Sequence, residues 1–144
     1  DHHYLTRNFA LEEFTHKCED ALPFRFQSNL NKLSYNLQVI RDHIRKPIVV
    51  ISGYRSLRCN ARVKGAKRSQ HMHAKAADIV VKNMAHRDLQ KAIFKLIHEG
   101  KISDGGVGLY RTHVHYDIRG SRSRWHNVVD KFMHVLERFS DEGG

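Results

Sequence analysis

A chain of 144 residues has the size of one domain, and its 40% hydrophobic and 28% charged residues exclude a disordered tail. Its 25 Lys and Arg against 15 Asp and Glu give a formal charge of +10, which predicts an anionic partner. No apolar run approaches the roughly 20 residues of a membrane-spanning helix. We therefore predict a single folded domain over residues 1–144, without a membrane span and monomeric.

Cysteine and histidine usage bears on compartment and chemistry. Cys18 and Cys59 are compatible with one disulfide or with two buried thiols. The chain starts at Asp1 without a signal peptide, which is also compatible with a mature or trimmed product. Twelve histidines are many for this length, so the histidines are where we look for chemistry.

The first half of the chain predicts two helices and a strand. Asn8, followed by apolar residues and two acids, predicts a short capped helix that reaches Phe14. Apolar residues recur every three or four positions from Ser28 to Ile44, which predicts a long amphipathic helix ended by Pro47. Residues 48–51 are continuously β-branched and predict a buried strand that leads into residues 52–55.

The second half alternates strands and helices. We predict a strand over residues 76–81, a helix over 87–98, a hairpin-like strand pair over 105–110 and 113–119, and a last helix over about 126–139. The chain lacks a regular βαβ alternation and a glycine-rich phosphate loop, which disfavours nucleotide binding. The expected fold class is α+β, with a small, mainly antiparallel sheet flanked by helices.

Three polar side chains suggest a metal site. Asp78 leads into an apolar strand, where an unpaired buried charge would cost several kcal/mol. In a strand His113, His115 and Asp117 point to one face. His71, Asp78 and His115 would supply the three ligands of a catalytic zinc with a fourth position open. On spacing alone, ordinary partly buried side chains are an equally good interpretation.

Five short blocks, in order, resemble a known family. Residues 69–78 read Ser-x-His-x-x-Ala-x-Ala-x-Asp, and the other blocks are Ser52–Ser56, Gly105–Tyr110, Val114–Asp117 and Trp125. They resemble the zinc D-Ala-D-Ala carboxypeptidases, the peptidoglycan D,D-peptidases whose zinc-site architecture is shared with the hedgehog signalling domain. The resemblance covers about residues 6–125, and Ala74 stands where the family usually has Gly.

The resemblance implies a zinc peptidase that cleaves peptidoglycan stem peptides with zinc-activated water. His71, Asp78 and His115 would hold one zinc ion. Arg55 would pair with a substrate carboxylate or the developing oxyanion, because a guanidinium binds carboxylates bidentately. We also expect substrate contact from Ser69, and we expect Tyr54 to pack with its hydroxyl at the pocket edge.

The general base is open. Many relatives carry Glu or Asp three residues before the last histidine ligand, and here that residue is Thr112. Asp117 is a candidate for the base or for orienting a ligand. His113 is a candidate for acid–base catalysis or transition-state stabilisation, or a strand-edge imidazole without a role. His73 is expected to be solvent-exposed.

Basic residues flank the predicted site on both sides and would hold an anionic polymer such as a bacterial cell wall. They are Arg58, Arg62, Lys64, Lys67, Arg68, Arg119, Arg122 and Arg124. Nucleic acid is disfavoured because the chain lacks a recognition-helix pattern and an interleaved aromatic platform. The alternative function is a catalytically altered, zinc-containing module that binds cell wall. The resemblance implies a periplasmic or extracellular protein, or a phage-encoded lytic protein.

Overall fold

Two sheets and four α-helices make up residues 2–127, the part of the chain that the computed structural model describes. The arrangement confirms the α+β prediction. The helices are Leu11–Thr15 (α1), Gln27–Ile44 (α2), Leu57–Arg62 (α3) and His86–His98 (α4), with 3₁₀ turns at Phe24–Phe26 and Gln70–His73. The strands are Tyr4–Thr6 (β1), Phe9–Ala10 (β2), Ile48–Ser52 (β3), Ala76–Val81 (β4), Gly106–Tyr110 (β5), Val114–Asp117 (β6) and Ser123–Asn127 (β7).

The first helix starts later than the sequence predicts. Asn8 lies in the turn between β1 and β2, where its backbone and side chain both bond to the Gln38 amide of α2, at 2.7 and 2.8 Å. Helix α1 begins at Leu11, and the Glu13 carboxylate accepts from the Ala10 N–H at 2.7 Å. The predicted Asn8 cap is therefore wrong, because that side chain is used in a contact distant in sequence.

Helix α2 matches its prediction to within one residue. Leu30, Leu33, Leu37 and Ile40 are fully buried at the predicted spacing. The helix ends at Ile44 because Arg45 adopts a left-handed conformation, with φ of 58°, two residues before Pro47.

Strand β3 is less buried than its run of β-branched residues predicts. The large sheet has the order β3-β4-β6-β5-β7, so β3 is an edge strand. Ile48 and Val50 are buried, whereas Val49 is 52% exposed. A continuous apolar run predicts burial on both faces, but only one face of β3 packs against the core.

The pleat of the large sheet separates a core face from a polar face. Val114 and Tyr116 of β6 are fully buried in the core with Ala77 and Ile79 of β4, and α4 packs against these strands. The intervening residues form a row across the opposite face, in which Asp78 pairs with His115, His115 with Gly108, and Gly108 with Trp125. This row places the predicted site residues side by side.

Strand β7 occupies the start of the predicted last helix. His126 and Asn127 pair in parallel with Leu109 and Tyr110 of β5, so the helix prediction is wrong for these two residues. The rest of that prediction, residues 128–139, lies outside the described residues. Within residues 2–127, no helix is both long and apolar enough to cross a membrane.

Candidate metal centre

Three buried side chains from separate segments meet at one carboxylate oxygen. The Asp78 Oδ1 atom lies 3.2 Å from His71 Nε2 and 3.1 Å from His115 Nδ1. His71 comes from the 3₁₀ turn, Asp78 from β4 and His115 from β6. All three residues are at least 93% buried. The structure therefore brings together the three ligands expected from the sequence.

Each imidazole is held through its other ring nitrogen. His71 Nδ1 lies 2.7 Å from the Gly53 carbonyl oxygen, and His115 Nε2 lies 2.7 Å from Asp117 Oδ2. A carbonyl and an ionised carboxylate only accept, so both of these ring nitrogens must carry the proton. In the neutral rings, His71 Nε2 and His115 Nδ1 then present lone pairs toward Asp78.

Three acceptors that face one another require a cation. Without a proton or a metal between them, two nitrogen lone pairs and a carboxylate oxygen at 3.1–3.2 Å would repel. A tetrahedral zinc shell, with ligand bonds of about 2.0–2.2 Å, spaces its ligand atoms about 3.3–3.6 Å apart. The donor set and the spacing therefore fit zinc, and the outer hydrogen bonds are those that orient histidine ligands.

The charges around the centre favour an ionised Asp78 and a cationic neighbour. Burial alone would raise the pKa of Asp78, but its close polar contacts with His115 and His71 outweigh this effect and hold that pKa well below its usual range. Burial lowers the pKa of His115, yet its bonds to Asp117 and Asp78 reverse the effect and raise it.

Asp117 lies behind His115 and does not line the cavity into which His71, Asp78 and His115 open. It is fully buried, and its carboxylate accepts from the Gly106 N–H at 2.8 Å and from the Arg119 guanidinium at 2.7 and 2.9 Å. Burial would raise the pKa of Asp117, but the bonds from His115 and Arg119 lower it overall. Of the two roles left open by the sequence, this position favours orienting His115.

His113 faces the centre directly. Its Nε2 lies 3.7 Å from Asp78 Oδ1, its ring stacks on Tyr110 with centroids 4.4 Å apart, and its Nδ1 shares a 2.8 Å hydrogen bond with Thr112 Oγ1. Burial lowers the pKa of His113, which favours the neutral ring. Thr112, which stands where many relatives carry an acid, contacts the neighbouring imidazole.

Arg55 and Ser69 both line the cavity, and both also have local partners. Arg55 donates to Asp78 Oδ2 at 3.4 Å and to Asn60 Oδ1 at 3.1 Å. The Ser69 hydroxyl accepts from the His71 N–H at 3.2 Å and caps the turn that carries this ligand. Ala74, where the family usually has Gly, ends the same turn with φ of 56°, a left-handed conformation that glycine adopts without strain.

Two other sequence expectations have different outcomes. Tyr54 is buried, packs against Phe26 with ring centroids 6.3 Å apart, and is not among the residues that line the cavity. The ring of Tyr54 therefore packs as expected, and the position of its hydroxyl at the pocket edge stays a prediction. His73 is exposed, as expected.

Trp125 forms part of the site, although the sequence analysis placed it only in one block of the family resemblance. Its indole lies 5.0 Å from the His115 ring and donates to Tyr110 Oη at 2.9 Å. A Cβ at Gly108 would overlap this indole, and one at Gly106 would overlap the Asp117 carboxylate. The glycines of β5 therefore leave room for the two side chains that flank His115, the Trp125 indole and the Asp117 carboxylate.

The candidate metal centre opens into this cavity, whose volume of about 470 Å³ is within the usual range for small-molecule sites. Of the eight basic residues that flank the site in sequence, three line this cavity: Lys64, Arg68 and Arg119. Two others have different partners, since Arg58 pairs with Asp20 at 2.6 Å and Arg124 pairs with Asp104 at 2.8 Å.

A disulfide joins Cys18 to Cys59, which answers the pairing question left open by the sequence. It connects the segment after α1 to α3, and the same contact includes a hydrogen bond between Ser56 Oγ and the Asp20 carboxylate. The Ser56 hydroxyl also caps α3 by accepting from the Cys59 N–H at 3.1 Å.

A family model described as Peptidase M15 matches residues 7–117 of this chain. The match runs from the turn before β2 to the end of β6 and includes all three residues of the candidate metal centre. It confirms the resemblance found in the sequence. No curated protein matches the chain.

Proposed function

The chain belongs to the Peptidase M15 family, and on this basis we propose that it is a zinc metallopeptidase that hydrolyses peptidoglycan stem peptides. The reaction would be of the D-Ala-D-Ala carboxypeptidase or the D,D- or L,D-endopeptidase type. The observation that carries the proposal is the meeting of His71 Nε2, Asp78 Oδ1 and His115 Nδ1, three acceptors whose other contacts hold them in place.

One zinc ion held by these three residues would supply a Lewis acid and generate a nucleophile from water near neutral pH. The protein's own contribution begins with orientation. The Gly53 carbonyl holds His71, and the Asp117 carboxylate holds His115, so neither ring needs to reorganise during the reaction. Asp117 is on this proposal a positioning residue.

His113 is the proposed proton carrier. It lines the cavity next to Asp78, and its lowered pKa keeps an imidazole nitrogen free to accept a proton near neutral pH. Thr112 cannot take this part because a threonine hydroxyl is not a base near neutral pH. The stacked Tyr110 ring holds the imidazole, so its edge and not its face meets the centre.

Arg55 is proposed to bind the substrate's carboxylate or the developing oxyanion. It lines the cavity and retains its position through Asn60, while its bond to Asp78 is long, at 3.4 Å. Ser69 is proposed as a second substrate contact, since this residue lines the cavity and its hydroxyl, which accepts from the His71 N–H, can still donate a hydrogen bond.

The test is mass spectrometry of peptidoglycan fragments after incubation with the zinc-loaded protein. A sample treated with a chelator and a His115→Ala variant serve as controls, and His73→Ala is the matched histidine variant outside the centre. We expect new stem-peptide products with the wild type and His73→Ala only, and their masses identify the bond. Unchanged fragments from a protein that holds one zinc ion would refute the peptidase.

The second candidate is a zinc-containing module that binds cell wall without cutting it. The observation in its favour is that, among the described residues lining the cavity, Asp78 is the one carboxylate, so none remains as a base. His113→Ala separates the two functions. An enzyme should lose turnover, whereas a module should retain its binding to insoluble peptidoglycan in a sedimentation assay.

We propose that the protein is periplasmic or extracellular, or that it is a phage-encoded lytic protein. The support is the disulfide between Cys18 and Cys59, because such bonds persist in oxidising compartments. Thiol labelling of the protein in its native compartment tests this, and quantitative labelling of both cysteines would contradict it.

A further inference from the structure

The loop after α3 carries cations that the proposed chemistry does not use. Lys64 and Arg68 both line the cavity of the metal centre. Within residues 2–127, neither side chain has an ion pair or a hydrogen bond. The other two cations of the cavity are engaged, since Arg55 bonds to Asp78 at 3.4 Å and Arg119 to Asp117 at 2.7 Å.

The loop is held in place by buried contacts. Asn60 is 4% exposed, and its amide donates to the Ala66 carbonyl at 2.9 Å, while its backbone carbonyl accepts from the Gly65 N–H at 2.9 Å. The same Asn60 side chain accepts from Arg55 at 3.1 Å. The backbone that carries Lys64 is therefore tied to the residue that also holds Arg55.

The conformation of Lys64 is one that a lysine rarely adopts. Its φ is 56°, in the left-handed region, where residues other than Gly and Asn are disfavoured. The next residue, Gly65, lies so close to Asn60 and Arg55 that a Cβ there would overlap both side chains. The left-handed residue belongs to the turn that ends α3, in which the Lys64 N–H donates to the Ala61 carbonyl at 3.1 Å and the Gly65 N–H to the Asn60 carbonyl at 2.9 Å. This capping turn fixes the backbone from which the Lys64 side chain reaches the cavity.

We propose that Lys64 and Arg68 form a second anion subsite that binds a substrate carboxylate distinct from the group at the scissile bond. This inference rests on the proposed function, and it names the substrate class more closely. The substrate is a peptide with a free carboxylate on a residue away from the cut. In a cavity with unpaired cations, replacing that carboxylate by its amide removes the attraction and leaves the shape nearly unchanged.

The experiment uses two pentapeptides that end in D-Ala-D-Ala and contain a γ-linked D-glutamyl residue. One has its free α-carboxylate and the other the carboxamide. Half-saturating concentrations are measured with the zinc-loaded protein at low and high salt, as KM if the peptides are cut and as Kd by calorimetry if they are not. Peptides that bind but are not cut would refute the proposed peptidase activity and leave the anion subsite intact. Failure of the proposed function can therefore be told apart from failure of this inference.

We expect the wild type to bind the free acid roughly fivefold to tenfold more tightly than the amide, as two solvent-accessible ion pairs allow. The ratio should fall toward one in Lys64→Gln/Arg68→Gln and at high salt. Lys67→Gln is the matched control, since this exposed lysine of the same loop does not line the cavity. Equal binding of the two peptides, no binding of either, or an equal loss in Lys67→Gln would overturn the inference.

Discussion

Replacing Asp117 by Asn tests the orientation of His115. The Asp117 carboxylate accepts from five donors: the Gly106 and Arg119 backbone N–H groups, two guanidinium nitrogens of Arg119, and His115 Nε2. In the Asp117→Asn variant an NH₂ group replaces one of the two carboxylate oxygens. Both oxygens accept from N–H groups in the wild type, so at either position the NH₂ group faces donors and cannot accept from them. If it faces His115, the ring relieves the conflict by moving its proton to Nδ1, the atom that points at Asp78.

The magnitude follows from these contacts. A proton on His115 Nδ1 must be displaced before a metal binds, and loss of an outer partner of a histidine ligand typically weakens metal affinity 10- to 100-fold, or about 1.4–2.7 kcal/mol. The donors left without acceptors also cost about 1–3 kcal/mol of folding stability. We therefore expect Asp117→Asn to fold, to be less stable, and to bind zinc more weakly.

The assay is competition for zinc against a chromophoric chelator, with urea unfolding of the metal-free protein measured separately. Asp104→Asn is the control, because Asp104 pairs with Arg124 away from the centre, so the same substitution should leave zinc affinity unchanged. If Asp117→Asn binds zinc within twofold of the wild type but turns over no substrate, the orientation argument is wrong and Asp117 acts as the base.

Three further predictions concern the packing around the centre, and all are measured by urea unfolding. Gly108→Ala should cost about 1–3 kcal/mol because its Cβ overlaps the Trp125 indole, and Trp125→Ala in the same chain should remove most of that penalty; additive losses would contradict the overlap. Ala74→Gly should stabilise the protein by up to about 1 kcal/mol because φ is 56°, and a loss of stability would argue against strain there. Reducing the Cys18–Cys59 bond, which spans 41 residues, should lower the free energy of unfolding by about 2–4 kcal/mol, and a double Ser variant that is insensitive to reductant controls for side effects.

Local patterns were sufficient for most of the secondary structure. The periodicity of residues 28–44 predicts α2 because one helix face packs against the core, and the alternation around His115 predicts that its neighbours two residues away share its face. Prediction failed where a distant partner decides. Asn8 bonds to Gln38 instead of capping a helix, and His126 pairs with Leu109 in a parallel strand.

The candidate site shows the same division between what local sequence patterns predict and what contacts across the fold decide. The resemblance predicted His71, Asp78 and His115 as a set, and the structure places them together. The roles of Asp117 and Tyr54 were not decidable from sequence, because a residue at a strand end can face the cavity or the interior. Their positions depend on β5 glycines and on the ring of Phe26, which are contacts across the fold.

The two imidazoles of the centre differ in how they can be perturbed. Asp117 can be replaced, but the partner of His71 is the main-chain carbonyl of Gly53, which no side-chain substitution removes. The adjacent Tyr54 N–H bonds to the Phe14 carbonyl at 2.7 Å, and Gly53 packs directly on the Phe14 backbone. An alanine scan would therefore register only one of the two orienting contacts. Changes at the end of α1, remote from the centre in sequence, are the route by which the other would be moved.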